Sequence, residues 1–298
     1  MNNRYSGALI GFVLGDMFGT QVKDQSRNQL FNRPVTKMND NAKWSENTSL
    51  LLLEIDSIVS KNKIDLNDVM LKMNSYIERG NYSLDYPDDI RSSLRVSIGK
   101  YIEEKGDPTL CGSGMIDNNS LVRILPFAIY AHINKFKDTD IIKLVSDVTS
   151  ITNTSEINIM GTYFLTRFII FLLNGKDKYS AYNMARSVDY SMFGESTNNL
   201  YKDLLNDITK VKLDDLKSSN NVIDTINSVM WVVLNSDNYK SSVIGAVSLG
   251  GDNSSIGAIT GALYGIIATE DLLPREWTNK IQKKDYILEL FNELLENK

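Results

Sequence analysis

Gly245-Ala-Val-Ser-Leu-Gly-Gly-Asp-Asn-Ser-Ser-Ile-Gly-Ala-Ile-Thr-Gly-Ala-Leu-Tyr-Gly265 decides how the whole chain is read. Gly250 and Gly251 split an apolar run in two. One helix is expected to end before them and a second to begin after them, with Asp252 as its cap and Ser254 and Ser255 close behind. Past the cap, Gly257, Gly261 and Gly265 recur every four residues and so share one helix face. Each costs about 1 kcal/mol relative to alanine in a helix interior. A stripe of three is therefore expected to lie against another backbone or a ligand. Two readings are compatible with it: a tight helix crossing in the core, and a polar site at the helix start.

A matching ladder stands near the N-terminus, at Gly7, Gly11, Gly15 and Gly19. The two ladder helices are expected to be neighbours. Asp16 sits inside the first ladder, flanked by glycine and apolar residues, and is expected to be buried and hydrogen-bonded. Further helices are expected over 49–59, 66–76, 90–104, 121–133, 140–153, 157–173, 179–188, 222–234 and 285–296. Ser45 or Asn47 is the expected cap for the first of these. The stretch 21–43 reads as a loop, and the polar stretch 196–221 as a mobile or partner-facing surface. Apolar residues follow helical rather than alternating periods, so one all-α domain spanning 1–298 is expected.

Composition narrows the function classes. The 298 residues are 42% hydrophobic and 23% charged, as in a packed globular protein. A net charge of −5 argues against a nucleic-acid binder that relies on a basic surface. The apolar run over 164–173 is short for a membrane span and contains Arg167, so no membrane association is expected. The start of the chain has no signal-peptide pattern and there is one cysteine, Cys111, which points to a cytoplasmic location. With one cysteine and one histidine, His132, zinc lacks ligands. What remains is oxygen chemistry at helix starts: Ser45-Glu46-Asn47-Thr48, Asp88-Asp89, Asn118-Asn119 and Asp252-Asn-Ser-Ser255. Hard cations such as Mg²⁺ take such ligands, and helix caps use the same residue types.

In order and spacing these clusters resemble the ADP-ribosylglycohydrolase family over nearly the whole length. Gly7-Ala-Leu-Ile-Gly-Phe-Val-Leu-Gly-Asp-Met-Phe-Gly19 is similar to its N-terminal segment. Trp44-Ser-Glu-Asn-Thr48 falls where the family has an aromatic residue, Thr/Ser, Asp, Asp and Thr. Asp89-Ile-Arg-Ser-Ser93 resembles its Asp-Ile-Gly-x-Thr segment, and Asn118-Asn-Ser-Leu-Val-Arg-Ile-Leu-Pro126 its Gly-Asn-Gly-x-x-Met-Arg-x-x-Pro segment. Leu249-Gly-Gly-Asp-Asn-Ser-Ser255 looks like the Leu-Gly-Gly-Asp-Thr-Asp-Thr signature, and Leu273-Pro-Arg-Glu-Trp277 also fits. The resemblance implies a single-domain orthogonal helical bundle of that type. It also implies two Mg²⁺ or Mn²⁺ ions held by the two Asp-rich clusters, which grip the ribose hydroxyls and direct attack on the anomeric carbon.

The chain departs from the pattern where that chemistry lies. Glu46 and Asn47 replace the first pair of aspartates, and Ser254 replaces the second aspartate of the later cluster. Four carboxylates fall to two, Glu46 and Asp252. A pair of divalent cations about 4 Å apart is then left undercompensated and self-repelling. By resemblance, the residues for at most one Mg²⁺ are Ser45, Glu46, Asn47, Asp252, Ser254 and Ser255; a site with no metal is the other expectation. Glu46 and Asp252 are the candidate catalytic residues. Asp89, Asn118, Ser120, Arg123, Gly251 and Lys23 are the candidate ligand contacts, although Arg123 also reads as a buried ion-pair member. Lys23 stands where family members carry a glutamate, and Thr152-Asn-Thr-Ser155 lacks the family's histidine. The ammonium of Lys23 is a candidate to take a former cation position beside Glu46 or Asp252, the alternative being a solvated loop lysine. Three functional readings follow: a relative with impaired or lost hydrolysis that binds ADP-ribose, a related nucleotide or a protein partner; an active divergent Mg-dependent hydrolase of ADP-ribosyl bonds; and an interaction protein with no small ligand.

Overall fold

The computed structural model describes residues 3–23, 25–87 and 89–296. Among them are seventeen α-helices, joined by loops and 3-10 turns, and no strand. The first half holds α1 (Asn3–Thr20), α2 (Arg27–Asn32), α3 (Glu46–Lys61), α4 (Leu66–Arg79), α5 (Ser92–Glu104), α6 (Asn119–Arg123), α7 (Leu125–Ile133) and α8 (Asp138–Ser150). The second holds α9 (Glu156–Leu173), α10 (Lys178–Arg186), α11 (Glu195–Leu200), α12 (Lys202–Asn206), α13 (Val222–Asn235), α14 (Tyr239–Ser248), α15 (Asn253–Ala268), α16 (Arg275–Thr278) and α17 (Lys284–Glu296).

The two glycine ladders meet as expected. α1 and α15 run antiparallel, and each glycine of one faces a backbone carbonyl of the other. A Cβ added at Gly11 would lie 2.3 Å from the Gly261 carbonyl oxygen, one at Gly15 would lie 2.0 Å from that of Gly257, and one at Gly7 2.3 Å from that of Gly265. No real side chain tolerates such distances, so the stripe is a backbone-on-backbone crossing at the centre of the molecule. The turn into α15 has its own glycine requirement. Gly250 and Gly251 adopt φ of 75° and 68°, the left-handed region that a β-carbon disfavours. A Cβ at Gly251 would also come within 2.0 Å of the Ser218 carbonyl oxygen.

Several of the longer helices begin where the sequence places a cap. Ser45 caps α3 by accepting from the Asn47 amide, Ser155 caps α9, Asn221 caps α13 and Asp252 caps α15. Three expectations need correction. The 21–43 stretch contains α2, a six-residue helix closed by a Ser26–Gln29 capping box. The expected 121–133 helix is two, α6 and α7, because Pro126 lacks the N–H that would continue the hydrogen-bond ladder and sits instead in the first turn of α7. The polar 196–221 stretch carries α11, α12 and two 3-10 turns, and it buries Tyr201, Leu204, Ile208 and Leu216.

One cluster of buried apolar side chains runs through helices from α1 to α17. α9 is long and apolar enough to cross a membrane by length and composition, because it starts at Glu156, earlier than the apolar run suggests. It packs against α8, α10 and α13, and most of it is buried inside the molecule. Within the core, Arg123 is fully buried and ties three helices together. It donates to Glu54 of α3 (3.0 Å), Asn119 of α6 (2.7 Å), the Val148 carbonyl of α8 (3.1 Å) and Thr152 (2.6 Å). Burial pushes the Glu54 carboxyl up to about 8, with the Arg123 charge opposing the rise.

Two predictions follow from this core. Gly261→Ala, whose Cβ would meet the Gly11 carbonyl oxygen at 2.2 Å, is expected to cost about 3 kcal/mol in urea unfolding. Gly99→Ala, on the open face of α5 with nothing within 4 Å, is expected to add up to about 1 kcal/mol. Equal effects of the two would remove the crossing as the reason for the ladder. The second concerns pH. The folded chain holds the Glu54 proton more tightly than the unfolded chain, about 8 against 4.5. Its contribution to stability is therefore complete below 4.5 and is lost as pH rises through 8. The unfolding free energy of the parent should fall relative to Glu54→Gln between these values, by at most about 1.4 kcal/mol per pH unit. Parallel pH curves for the two proteins would show that Glu54 does not titrate there.

Candidate functional site

A cleft of about 900 Å³ opens where the N-terminal ends of α3, α5 and α15 converge. Ser45 and Glu46, Arg91 and Ser92, and Asp252 to Ser254 line its deep part. Lys23, Lys43, Asp85, Tyr86 and Asp89 line it too, and these are largely exposed at its rim. The chain reaches this arrangement through the ladder crossing. Because α1 and α15 are antiparallel, Asp16 near the end of α1 lies beside the start of α15, and the start of α3 packs against both.

Asp16 is fully buried and is the organising acceptor of the α3 start. Its Oδ1 accepts from the Ser45 hydroxyl (2.6 Å) and from Asn47 Nδ2 (3.2 Å). Its Oδ2 accepts from the Ser45 amide (2.9 Å), the Thr48 amide (3.1 Å) and the Thr48 hydroxyl (2.6 Å). Burial raises its carboxyl above the ordinary aspartate value, and the bonds from Ser45 and Thr48 hold it back. The expectation of a buried, hydrogen-bonded Asp16 holds. It also explains why Ser45 and Asn47 direct donors inward, away from the cleft.

The centre of the site belongs to a residue the sequence reading passed over. Arg91, the residue before α5, donates through Nη1 to Glu46 Oε1 (2.6 Å) and through its backbone amide to Glu46 Oε2 (3.2 Å). Its Nη2 donates to Asn47 Oδ1 (2.8 Å) and to Ser255 Oγ (2.6 Å), and its Nε to Asn118 Oδ1 (3.3 Å). Asp252 Oδ2 lies 3.9 Å from Nη2 and accepts from Asn118 Nδ2 at 2.8 Å. One guanidinium thus bridges the Glu46-Asn47 cluster to the Asp252–Ser255 cluster. Burial raises the Glu46 carboxyl, opposed by the Arg91 charge. Burial works against the charge of Arg91, but Glu46 and Asp252 outweigh it and hold the guanidinium above its ordinary value. A signal for Arg91 was present: it stands at the glycine of the Asp-Ile-Gly-x-Thr pattern that Asp89 to Ser93 resembles.

The structure brings Ser45, Glu46, Asn47, Asn118, Gly251, Asp252, Ser254 and Ser255 together. It does not bring in all the others. Lys23 pairs with Asp89 at the rim rather than with Glu46 or Asp252, and the inner cationic position is taken by Arg91. This pair holds the Asp89 carboxyl below its ordinary value. Ser120 is fully buried against Asn158 and Thr162, and Arg123 is fully buried in its core ion pair, so neither reaches the cleft. Asp24 and Asp88 lie outside the described residues.

As a cation site the donors fit poorly. Glu46 Oε1, the carbonyl oxygen of the Asn47 side chain and the Ser255 hydroxyl already accept from the Arg91 guanidinium, and Glu46 Oε2 accepts from the Arg91 backbone amide. Among the described residues no group of three or more His, Cys, Asp or Glu side chains is placed to hold a metal ion. Asp252 is the less tightly held of the two cluster carboxylates: its Oδ1 has only long contacts, 3.3 Å from the Ser255 amide and 3.4 Å from the Ser254 hydroxyl.

Comparisons with known proteins agree with this arrangement of helices. The family model for ADP-ribosylglycohydrolase matches residues 1–298. An ADP-ribosylarginine hydrolase, Tri1, of Serratia proteamaculans is 24% identical, over 98% of this chain and 79% of its own. The ADP-ribosyl-dinitrogen reductase glycohydrolase of Rhodospirillum rubrum is 21% identical, over 95% of this chain and 92% of its own. A solved structure described as an ADP-ribosylglycohydrolase-related protein complex superposes with a TM-score of 0.80 at 17% identity, covering 98% of this chain and 97% of the other. A family match from the first residue to the last, on a fold whose helix starts converge on one cleft, places this chain in the ADP-ribosylglycohydrolase family.

Proposed function

We propose that this protein uses the family cleft to bind ADP-ribose, a related nucleotide or an ADP-ribosylated partner, with hydrolysis impaired or lost. One observation carries the reading: both carboxylate oxygens of Glu46 are engaged by Arg91. Cleaving a glycosidic bond needs an activated water, supplied by a free base or a metal-bound hydroxide. A carboxylate clamped on both oxygens by a guanidinium and an amide is a poor base and a poor ligand. The cleft itself persists, with Trp44, Asn220 and Asp252 among the residues that could meet a base or ribose. A second reading, an active divergent hydrolase, draws support from Asp252, whose Oδ1 is loosely held on the cleft wall and is the remaining candidate base.

Calorimetry with ADP-ribose is expected to show binding of similar affinity in EDTA and in millimolar Mg²⁺. ADP-ribosylarginine peptides are expected to release no ADP-ribose at millimolar Mg²⁺ or Mn²⁺. Turnover that is lost in Asp252→Asn would establish the hydrolase reading instead. Absence of heat with ADP-ribose and with ADP-ribosylated peptide would reject both.

A further inference from the structure

We infer that the Arg91 guanidinium takes the place of the divalent cations that the fold family implies, so that the site is assembled by a permanent internal charge and needs no metal. This deepens the reading above but does not depend on which ligand the cleft takes.

Position is the first argument. The two clusters that would hold the ions by resemblance are the ones Arg91 joins, and a single nitrogen, Nη2, contacts one member of each, Asn47 and Ser255. Charge is the second. Glu46 and Asp252 are the two remaining carboxylates of those clusters, and Arg91 lies 2.6 Å from one and 3.9 Å from the other. A divalent cation placed among the same oxygens would stand at contact distance from a fixed positive charge, with no further carboxylate of those clusters to offset it. Geometry is the third. Four N–H groups of one planar fork reach Glu46, Asn47, Ser255 and Asn118 at once, which the compact ammonium of a lysine could not do. Space is the fourth. Glycine, which the resembled pattern has at this position, would leave the volume between the clusters open, and arginine fills it.

Metal ions alone test this, without ADP-ribose, so its failure is distinct from failure of the binding reading. The parent protein should show the same melting temperature in EDTA and in millimolar MnCl₂. Electron paramagnetic resonance of added Mn²⁺ should report only the free ion. Arg91→Ala should lower Tm by on the order of 10 °C in EDTA, because Glu46 is left buried and unpaired. Mn²⁺ at about 100-fold above its Kd should then restore about 5 °C. Arg91→Lys keeps the charge without the fork and should remain blind to Mn²⁺ while losing part of the stability. Arg91→Gln, neutral and still hydrogen-bonding, repeats the metal measurement if the alanine variant does not fold. Stoichiometric Mn²⁺ binding by the parent protein, or no response to Mn²⁺ from the folded neutral variants, would overturn the inference.

Discussion

The candidate site is placed by one contact, the antiparallel approach of α1 and α15 along seven glycines. Such closeness is available only without β-carbons, and each glycine lowers the intrinsic stability of its helix by about 1 kcal/mol. The return is a rigid pair of backbones with fixed register. Register is what matters for the site. Pairing Gly15 with Gly257 and Gly19 with Asn253 sets Asp16 beside the first turn of α15, where Asp252 caps and Ser255 points at Arg91. A slip by one helical turn would carry Asp16 away from the start of α3 and leave its carboxylate buried without the five donors it now has.

Helix starts converging on one place create a shared electrostatic problem. Each long helix brings roughly half a positive charge at its N-terminus, and α3, α5 and α15 all begin at the cleft. Carboxylates are the natural residents there, and Asp16, Glu46 and Asp252 occupy those positions. Arg91 is the anomaly, a cation at the positive end of α5 where the dipole disfavours it. Its position is understandable only through its partners. Glu46 faces both its side chain and its amide, and Asp252 faces it from the opposite helix. The guanidinium supplies the counter-charge for the buried Glu46 and the half-buried Asp252 and joins two clusters from distant parts of the chain.

Much of this was legible in the residues. The ladders announced the close approach of another backbone or a ligand, because three glycines on one face otherwise only cost a helix stability, and the matching ladder near the N-terminus pointed to a helix neighbour. Asp16 could be read as buried because no polar residue surrounds it in sequence. Asp252 and Ser45 were recognisable as caps. The rest was hidden for physical reasons. Arg123 and Ser120 sit in a motif shared with ligand-binding segments, yet their burial is decided by Glu54, Asn158 and Thr162, which lie far away in sequence. Lys23 attracted notice as a new base near lost acids. Which lysine or arginine enters a pocket depends on backbone geometry, however, and Arg91 lies on the loop that points inward while Lys23 stays at the rim with Asp89. Pro126 carries the signal for the break between α6 and α7, inside an apolar run whose length reads as one helix.

The Arg91 fork also makes Glu46 and Arg91 mutually dependent. Replacing a buried ion pair wholesale with apolar residues can be neutral, but removing one member strands the other at a cost of about 3–5 kcal/mol. Glu46 and Arg91 therefore hold each other in place. Loss of Arg91 leaves a buried carboxylate, and loss of Glu46 leaves a buried guanidinium facing Asp252 alone. Loss of the fork alone vacates the position between the clusters, whereas charge balance for a pair of divalent ions also needs carboxylates at 47 and 254. The fork therefore ties Glu46, Asn47, Asn118 and Ser255 into one hydrogen-bonded unit, in which the loss of any charged member is felt by the rest.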